Sequence, residues 1–363
     1  MNQFKKDLKK KLNNSQFNHY GIDNFDVNRF GDYTERDTSS IFKSFILQLA
    51  IVIKFLIKLT IRHNAAIFNE YHERFECIYN HLTSKDKKLF IELISYRILG
   101  YKKVKLQRNN QEYRNAINTG ISLQDSTDSL FNLFTLYKCS LSKIGVDIVL
   151  YSNAQGIAVD FILEQYAYKG ELNEIIEVKK GDIVLDLGAF GGDTALYFAF
   201  KAENCGKVYS FEFIPKNIEL FNKNIALNPK YRDQICLIQH PVSNKSNDII
   251  YFKDDGPGSR IQLQAFDEQT GSCNTISIDD FVKQNGITKI DFIKMDIEGA
   301  ELKALEGAIE TIKRFKPKLA IAIYHSIDDM ANIPLWIINL QLDYHIFIDH
   351  FTIHKEETIL FAK

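Results

Sequence analysis

Residues 181–194, GDIVLDLGAFGGDT, decide how this chain folds: a short apolar strand runs directly into a glycine-rich turn, and a helix starts at once behind it. Glycine carries no Cβ, so Gly188 and Gly192 admit backbone angles and close approaches that other residues forbid. Asp193 and Thr194 stand where that helix begins, and a side-chain oxygen there can meet N–H groups that have no intrahelical partner. Asp186, Gly188 and Gly192 are spaced D-x-G-x-x-x-G. A nicotinamide-binding turn asks for G-x-G-x-x-G, and Phe190 stands where that pattern wants its second glycine.

Downstream, residues 208–213 (VYSFEF) read as a second strand whose Glu212 lies 26 positions beyond Asp186. A carboxylate at that strand end can accept from both hydroxyls of a ribose, a feature shared by NAD and S-adenosylmethionine (SAM) sites. The bland alternative is a tight turn with a solvated acid nearby. Turn, spacing and acid together favour a cofactor site.

The chain has 363 residues, more than one core usually organises, so two structural units are expected, and 45% apolar residues supply their interiors. A formal net charge of -1 gives no basic footprint for nucleic acid. Cys77, Cys139, Cys205, Cys236 and Cys273 are odd in number and never form C-x-x-C. They read as reduced, buried thiols of a cytoplasmic protein.

Lys5, Lys6, Lys9, Lys10 and Lys11 crowd the start with no apolar stretch behind them, so no secretory leader is expected. Residues 41–62 are the most membrane-like run, yet their longest uncharged stretch is Ser44 to Ile53, against the roughly 20 residues that a span requires. Lys43, Lys54, Lys58 and Arg62 fall near one stripe of a helix. Such an amphipathic helix either buries its apolar face in a helical domain or lies on a membrane surface, with the lysine-rich start as a second attachment. Residues 84–100 show a second helix with a capping serine and a terminal glycine, whereas the polar residues 101–130 read as loops. Residues 1–38 are therefore assigned to a basic, mobile segment and 39–143 to a helical N-terminal domain.

From Val146 onward strands alternate with helices, the order that builds a mostly parallel sheet covered on both faces. A helix is expected over 215–228, a third strand at 236–239, a fourth at 290–295, one helix from Ala300 to Pro317, and a fifth strand at 319–324. Two short strands near 344–348 and 358–361 leave no room for a crossover, so they should pair antiparallel.

At this point several blocks resemble one family. GDIVLDLGAFGGDTALYFA, KVYSFEFIPKNIELFNKNIALNP, DDGPGSRI, SIDDFV, IDFIKMDIEGAELKALEGA, KPKLAIAIYH and the segment from His350 to Thr358 are similar, in that order, to FkbM-type SAM-dependent methyltransferases. The resemblance implies an α/β class I methyltransferase fold over 144–363: a Rossmann-like seven-stranded sheet, last strand antiparallel, behind the mostly helical extension. It implies SAM as cofactor and O-methylation of a hydroxyl on a sugar or glycan precursor, with a small-molecule or glycan acceptor as partner. A lipid or polyketide hydroxyl, a nitrogen acceptor, and a SAM-fold scaffold without turnover remain as alternatives. By position it puts SAM against Asp186, Gly188, Gly192, Asp193 and Thr194, with Glu212 on the ribose and Asp296 near the reacting end. Gln165 or Tyr166, in the leader DFILEQYAY, would close over it.

Methyl transfer is an in-line displacement, and a protonated hydroxyl is a poor nucleophile, so a nearby base or a metal-held alkoxide is useful. Lys294, Asp296 and Glu298 alternate at the end of the fourth strand and should face one side. Asp296 is the candidate amino anchor or base; Glu298 is either catalytic or a cap on the following helix. His325 closes the fifth strand and titrates near neutrality, which suits proton abstraction. Arg260, in the loop DDGPGSR, and His350 are candidate substrate contacts. His345, His350 and His354 straddle a strand and a turn, so no metal site is expected from them.

Overall fold

The structure, a computed structural model, describes residues 2–31, 70–131, 135–170, 174–254 and 260–363. It divides into two compact units, residues 1–110 with 352–356, and residues 111–351 with 357–363. The amphipathic run at 41–62 lies outside the described residues.

In the first unit, the lysine-rich start forms helix α1 (Gln3–Ser15), capped by the Asn2 side chain, which accepts from the Lys5 N–H at 2.9 Å. Phe4 is buried against Tyr79 of α2 (His72–His81) and Phe90 of α3 (Ser84–Leu99), while the lysines stay in water. Phe4, with the Lys11–Glu92 ion pair at 3.2 Å and the Tyr79 hydroxyl on Asp7, anchors a segment that composition marks as mobile. Helix α3 is capped by Thr83, one residue earlier than the serine of the sequence reading, and it ends at Gly100, whose φ of +78° suits a residue without Cβ.

The polar stretch 101–130 is not all loop. It contains α4 (Gln111–Ser122), which buries Tyr113, Ala116, Ile117 and Gly120 along one stripe, and β1 (Gln124–Phe131). Strand β1 joins β2 (Thr135–Ser140) and β3 (Val149–Ser152) in an antiparallel sheet. Gly120 lets α4 lie on the chain at Ala154, whose carbonyl oxygen a Cβ would meet at 2.3 Å. This packing places the boundary after Asn110 rather than near residue 143.

The centre of the second unit is a seven-stranded sheet. Its parallel strands are β6 (Ile183–Leu187), β7 (Lys207–Phe211), β8 (Ile235–Ile238), β12 (Phe292–Met295) and β13 (Lys318–Ala322). Counting the two-stranded pair β4 (Tyr168–Lys169) and β5 (Ile175–Ile176), and the antiparallel flap of β9 (Ile249–Lys253), β10 (Arg260–Gln262) and β11 (Gly271–Asn274), the central order is β14-β15-β13-β12-β6-β7-β8. The final hairpin forms as expected: β15 (Thr358–Ala362) lies antiparallel between β13 and β14 (Ile346–His350). Strands β12 and β13 are buried along most of their length, which explains their near-continuous apolar sequences.

Helix α5 (Asp193–Ala202) follows β6, and α6 (Pro215–Ala226) follows β7 with Leu220, Phe221, Asn224 and Ile225 inward. After α7 (Ile278–Gln284) and β12, the single helix expected over 300–317 is two, α8 (Glu301–Glu306) and α9 (Ile309–Phe315). Gly307 separates them, and a Cβ there would meet the Ser243 carbonyl oxygen at 2.3 Å, so close backbone approach outweighs helix continuity. Helix α10 (Ile327–Asn339) then leads to the hairpin. The five thiols are free, but only Cys139 is buried; Cys205 is exposed. No described helix is long and apolar enough to cross a membrane.

Candidate active site

The parallel strands end at one edge, where open α/β sheets bind ligands, and the turn after β6 lies on it. Gly188 and Gly192 have φ of +85° and +82°, and Phe190 is itself held at +42°. The amides of Gly188 and Ala189 both donate to the Phe211 carbonyl, which lashes the turn to β7. A Cβ on Gly188 would meet the Asp296 carbonyl oxygen at 1.9 Å, so only glycine lets this turn touch the end of β12.

Asp186 is fully buried beneath the turn. Its carboxylate accepts from Thr194 Oγ1 at 2.9 and 3.0 Å and from Ser210 Oγ at 3.1 Å, and it pairs with Lys294 Nζ at 3.2 Å. Lys294 also donates to the Gly188 carbonyl at 2.6 Å and lies over the Tyr166 ring. Burial pulls this lysine's pKa down, but Asp186, Asp296 and Asp193 outweigh it and hold the ammonium above its ordinary range. The Asp186 carboxylate therefore anchors the turn from behind, and Thr194, expected as a cap, spends its hydroxyl on Asp186.

Asp193 opens α5, its own Oδ1 accepting from the Thr194 N–H at 2.9 Å. Burial raises its pKa to about 6. Asp160, in the π-helical turn 157–162, is raised well above the carboxylate range by burial and then by Asp193. Glu212, at the end of β7, accepts from the Phe213 and Ile214 N–H groups at 2.7 and 2.8 Å through Oε1, and from Asn217 at 3.2 Å through Oε2. Burial raises its pKa despite these donors. A carboxylate has about four acceptor positions, so Oε2 keeps room for one hydroxyl.

The ends of β12 and β13 carry a second cluster. Asp296 accepts from Tyr166 at 3.0 Å and from Tyr324 at 3.0 and 3.2 Å, and its Oδ1 lies 3.3 Å from His325 Nε2. His325 Nδ1 lies 3.2 Å from Glu301 Oε1. Burial pulls the imidazole pKa down, but Glu301, Asp296 and Glu298 raise it to about 9, so near neutral pH His325 is an imidazolium rather than a ready base.

Glu298 departs from its expected place. The strand ends at Met295, and Glu298 sits in a turn with φ of +57°, its side chain 86% exposed, so it does not share the face of Lys294 and Asp296. No side chain caps α8; Glu301, in its first turn, accepts from the Ile297 N–H of the preceding turn at 2.8 Å through Oε1. His350 reaches the same edge of the sheet but is buried, with Nδ1 at 2.8 Å from Thr358 Oγ1. Arg260 begins β10, paired with Lys253, and the loop before it lies outside the described residues. His354 meets Asp26 within the first unit, away from any cluster with His350.

The sequence reading did not single out Ser210, Asn217, Glu301 or Tyr324. Their signal was adjacency: Tyr324 precedes His325, and Glu301 opens the helix after β12. Residues 186–346 match the family model of the methyltransferase FkbM domain. Over these residues the chain is similar to the FkbM methyltransferase domain. A crystal structure of methyltransferase FkbM from Methylobacillus flagellatus is similar over 82% of this chain and 60% of that one, with a TM-score of 0.52 and 16% identity, a likeness of fold. The chain thus spans 60% of that relative's length. Aeropyrum pernix fibrillarin, solved with bound S-adenosyl-L-methionine, overlaps 63% of this chain and 94% of its own, with a TM-score of 0.33 and 13% identity. No curated protein matches. The matched region runs from Asp186 beneath the glycine turn to the start of β14, so it contains both clusters apart from Tyr166.

Proposed function

We propose that this protein is a SAM-dependent O-methyltransferase acting on a hydroxyl of a sugar or glycan precursor. The observation that carries the reading is the cradle between Gly188 and Glu212: a turn that admits no Cβ, beside a buried carboxylate with one acceptor position left. These residues fit the cofactor. Glu212 can accept one ribose hydroxyl, and Asp193 lies at the start of α5, where it can meet an amino group. When bound, SAM supplies an electrophilic methyl group on a sulfonium. Gln165 is buried with Oε1 lacking a hydrogen-bond partner, which suits a ligand donor beside the turn.

The chain's own residues then have separable tasks. Lys294 and Asp186 hold the turn in place, and Tyr166 and Tyr324 fix Asp296 at the reacting edge. Asp296 orients the acceptor hydroxyl and takes its proton, with the His325 imidazolium offsetting the negative charge nearby. The choice of a sugar hydroxyl rests on the family resemblance. A peripheral membrane role for the N-terminal region remains a proposal of the same standing.

The reading is tested by calorimetry with S-adenosylhomocysteine against NAD: binding of the first alone is expected, and a silent first titration overturns it. Mass spectrometry of glycans from cells with and without the protein should show a 14-dalton difference, the mass of one added CH2, on the acceptor.

A further inference from the structure

We infer that Asp296, Glu301 and His325 form a binding site for one divalent cation of the manganese type at the ends of β12 and β13. One donor atom from each residue lies within 4.8 Å of the other two. Metal–oxygen and metal–nitrogen bonds of about 2.0–2.2 Å put neighbouring ligands of one ion roughly 3 Å apart; Asp296 Oδ1 lies 3.3 Å from His325 Nε2, while the 3.2 Å approach of Glu301 Oε1 is to the other ring nitrogen, Nδ1. Two carboxylates and one imidazole suit a first-row divalent ion that accepts both oxygen and nitrogen.

The second observation is independent of that spacing. Glu301 is fully buried, and its Oε2 has no hydrogen-bond partner. The His325 ring nitrogens face these carboxylates, and a cation ligated by one of them would displace the imidazolium proton. Buried polar atoms are nearly always satisfied, and an orphan calls for an ion or water. Asp296 is already oriented by Tyr166 and Tyr324, as ligating carboxylates usually are by their own hydrogen bonds. Chain order hides the site, because Asp296 and Glu301 flank one turn whereas His325 arrives on the next strand.

The role of the ion rests on the proposed function: it would lie where the acceptor hydroxyl must sit and share the negative charge that its oxygen gains. The binding itself needs no acceptor and no SAM. The test is a Mn2+ titration of the chelator-stripped full chain, followed by electron paramagnetic resonance. One Mn2+ per chain is expected, bound at least about ten-fold more weakly by Glu301→Gln and by His325→Gln, the loss typical of impaired coordination. Thermal denaturation checks that each variant folds; if Glu301→Gln does not, His325→Gln and Asp296→Asn decide. Absence of stoichiometric Mn2+, or unchanged affinity in a folded His325→Gln, overturns the site and leaves the imidazolium in its place. S-adenosylhomocysteine binding on the same preparation separates the outcomes. Nucleoside binding without Mn2+ sinks the cation site alone, and Mn2+ binding without nucleoside sinks the proposed function alone.

Discussion

Two acid clusters stand side by side at one edge of the sheet, and they are finished to different degrees. Around Asp186, every partner is internal: Lys294, Thr194 and Ser210 meet the carboxylate, and Lys294 also meets the Gly188 carbonyl. Around His325, the buried Glu301 Oε2 lacks a hydrogen-bond partner. A saturated cluster shapes the chain, whereas an unsaturated one at the ligand edge has capacity for something else. Glu212 is intermediate, with three donors on four acceptor positions.

Breaking the saturated cluster should cost most. Lys294→Met leaves Asp186 buried without its cation, and loss of one partner of a buried pair costs about 3–5 kcal/mol; urea unfolding should show it. Adding Asp186→Asn should recover part of that loss, and no recovery would deny that the two act as a pair. For Glu212→Ala, S-adenosylhomocysteine binding should weaken by roughly 1.5–3 kcal/mol, the worth of a hydrogen bond to a charged group. Calorimetry that finds parental affinity removes Glu212 from the ribose.

Asp193 sharpens the comparison through pH. Its folded pKa, raised to about 6 from the ordinary 3.8, means that the unfolded chain loses this proton first as pH rises. Stability is therefore undiminished by this group below the unfolded pKa, falls between the two values and stays reduced above about 6. Asp193→Asn should remove that loss, gaining roughly 1–3 kcal/mol at neutral pH and little near pH 4. A gain independent of pH, in urea midpoints measured across that range, would show another cause. The smallest effect belongs to Glu298→Gln, whose exposed side chain should change stability by less than about 0.5 kcal/mol.

Much of this was legible in the chain because it depends on near neighbours. The strand running into Gly188 and Gly192, the alternation of strands and helices, and the closing hairpin are short-period patterns, and the structure follows them. The helix at Gln111–Ser122 was missed because Gln111, Asn115 and Asn118, among other polar residues of its exposed face, hide the buried stripe of Tyr113, Ala116 and Ile117. Glu298 was misplaced because alternation holds only while a strand continues, and β12 ends at Met295.

The sequence by itself determined the glycine turn, the acid 26 positions on, and the order of elements, since backbone freedom and hydrophobic period are local properties. Only the tertiary structure decided which charges meet. Parallel pairing of β12 with β6 sets Lys294 directly across from Asp186, and the neighbouring strand β13 brings His325 to Asp296 and Glu301. Register between distant strands is fixed by side chains packing across the sheet, and no local spacing in the chain encodes it.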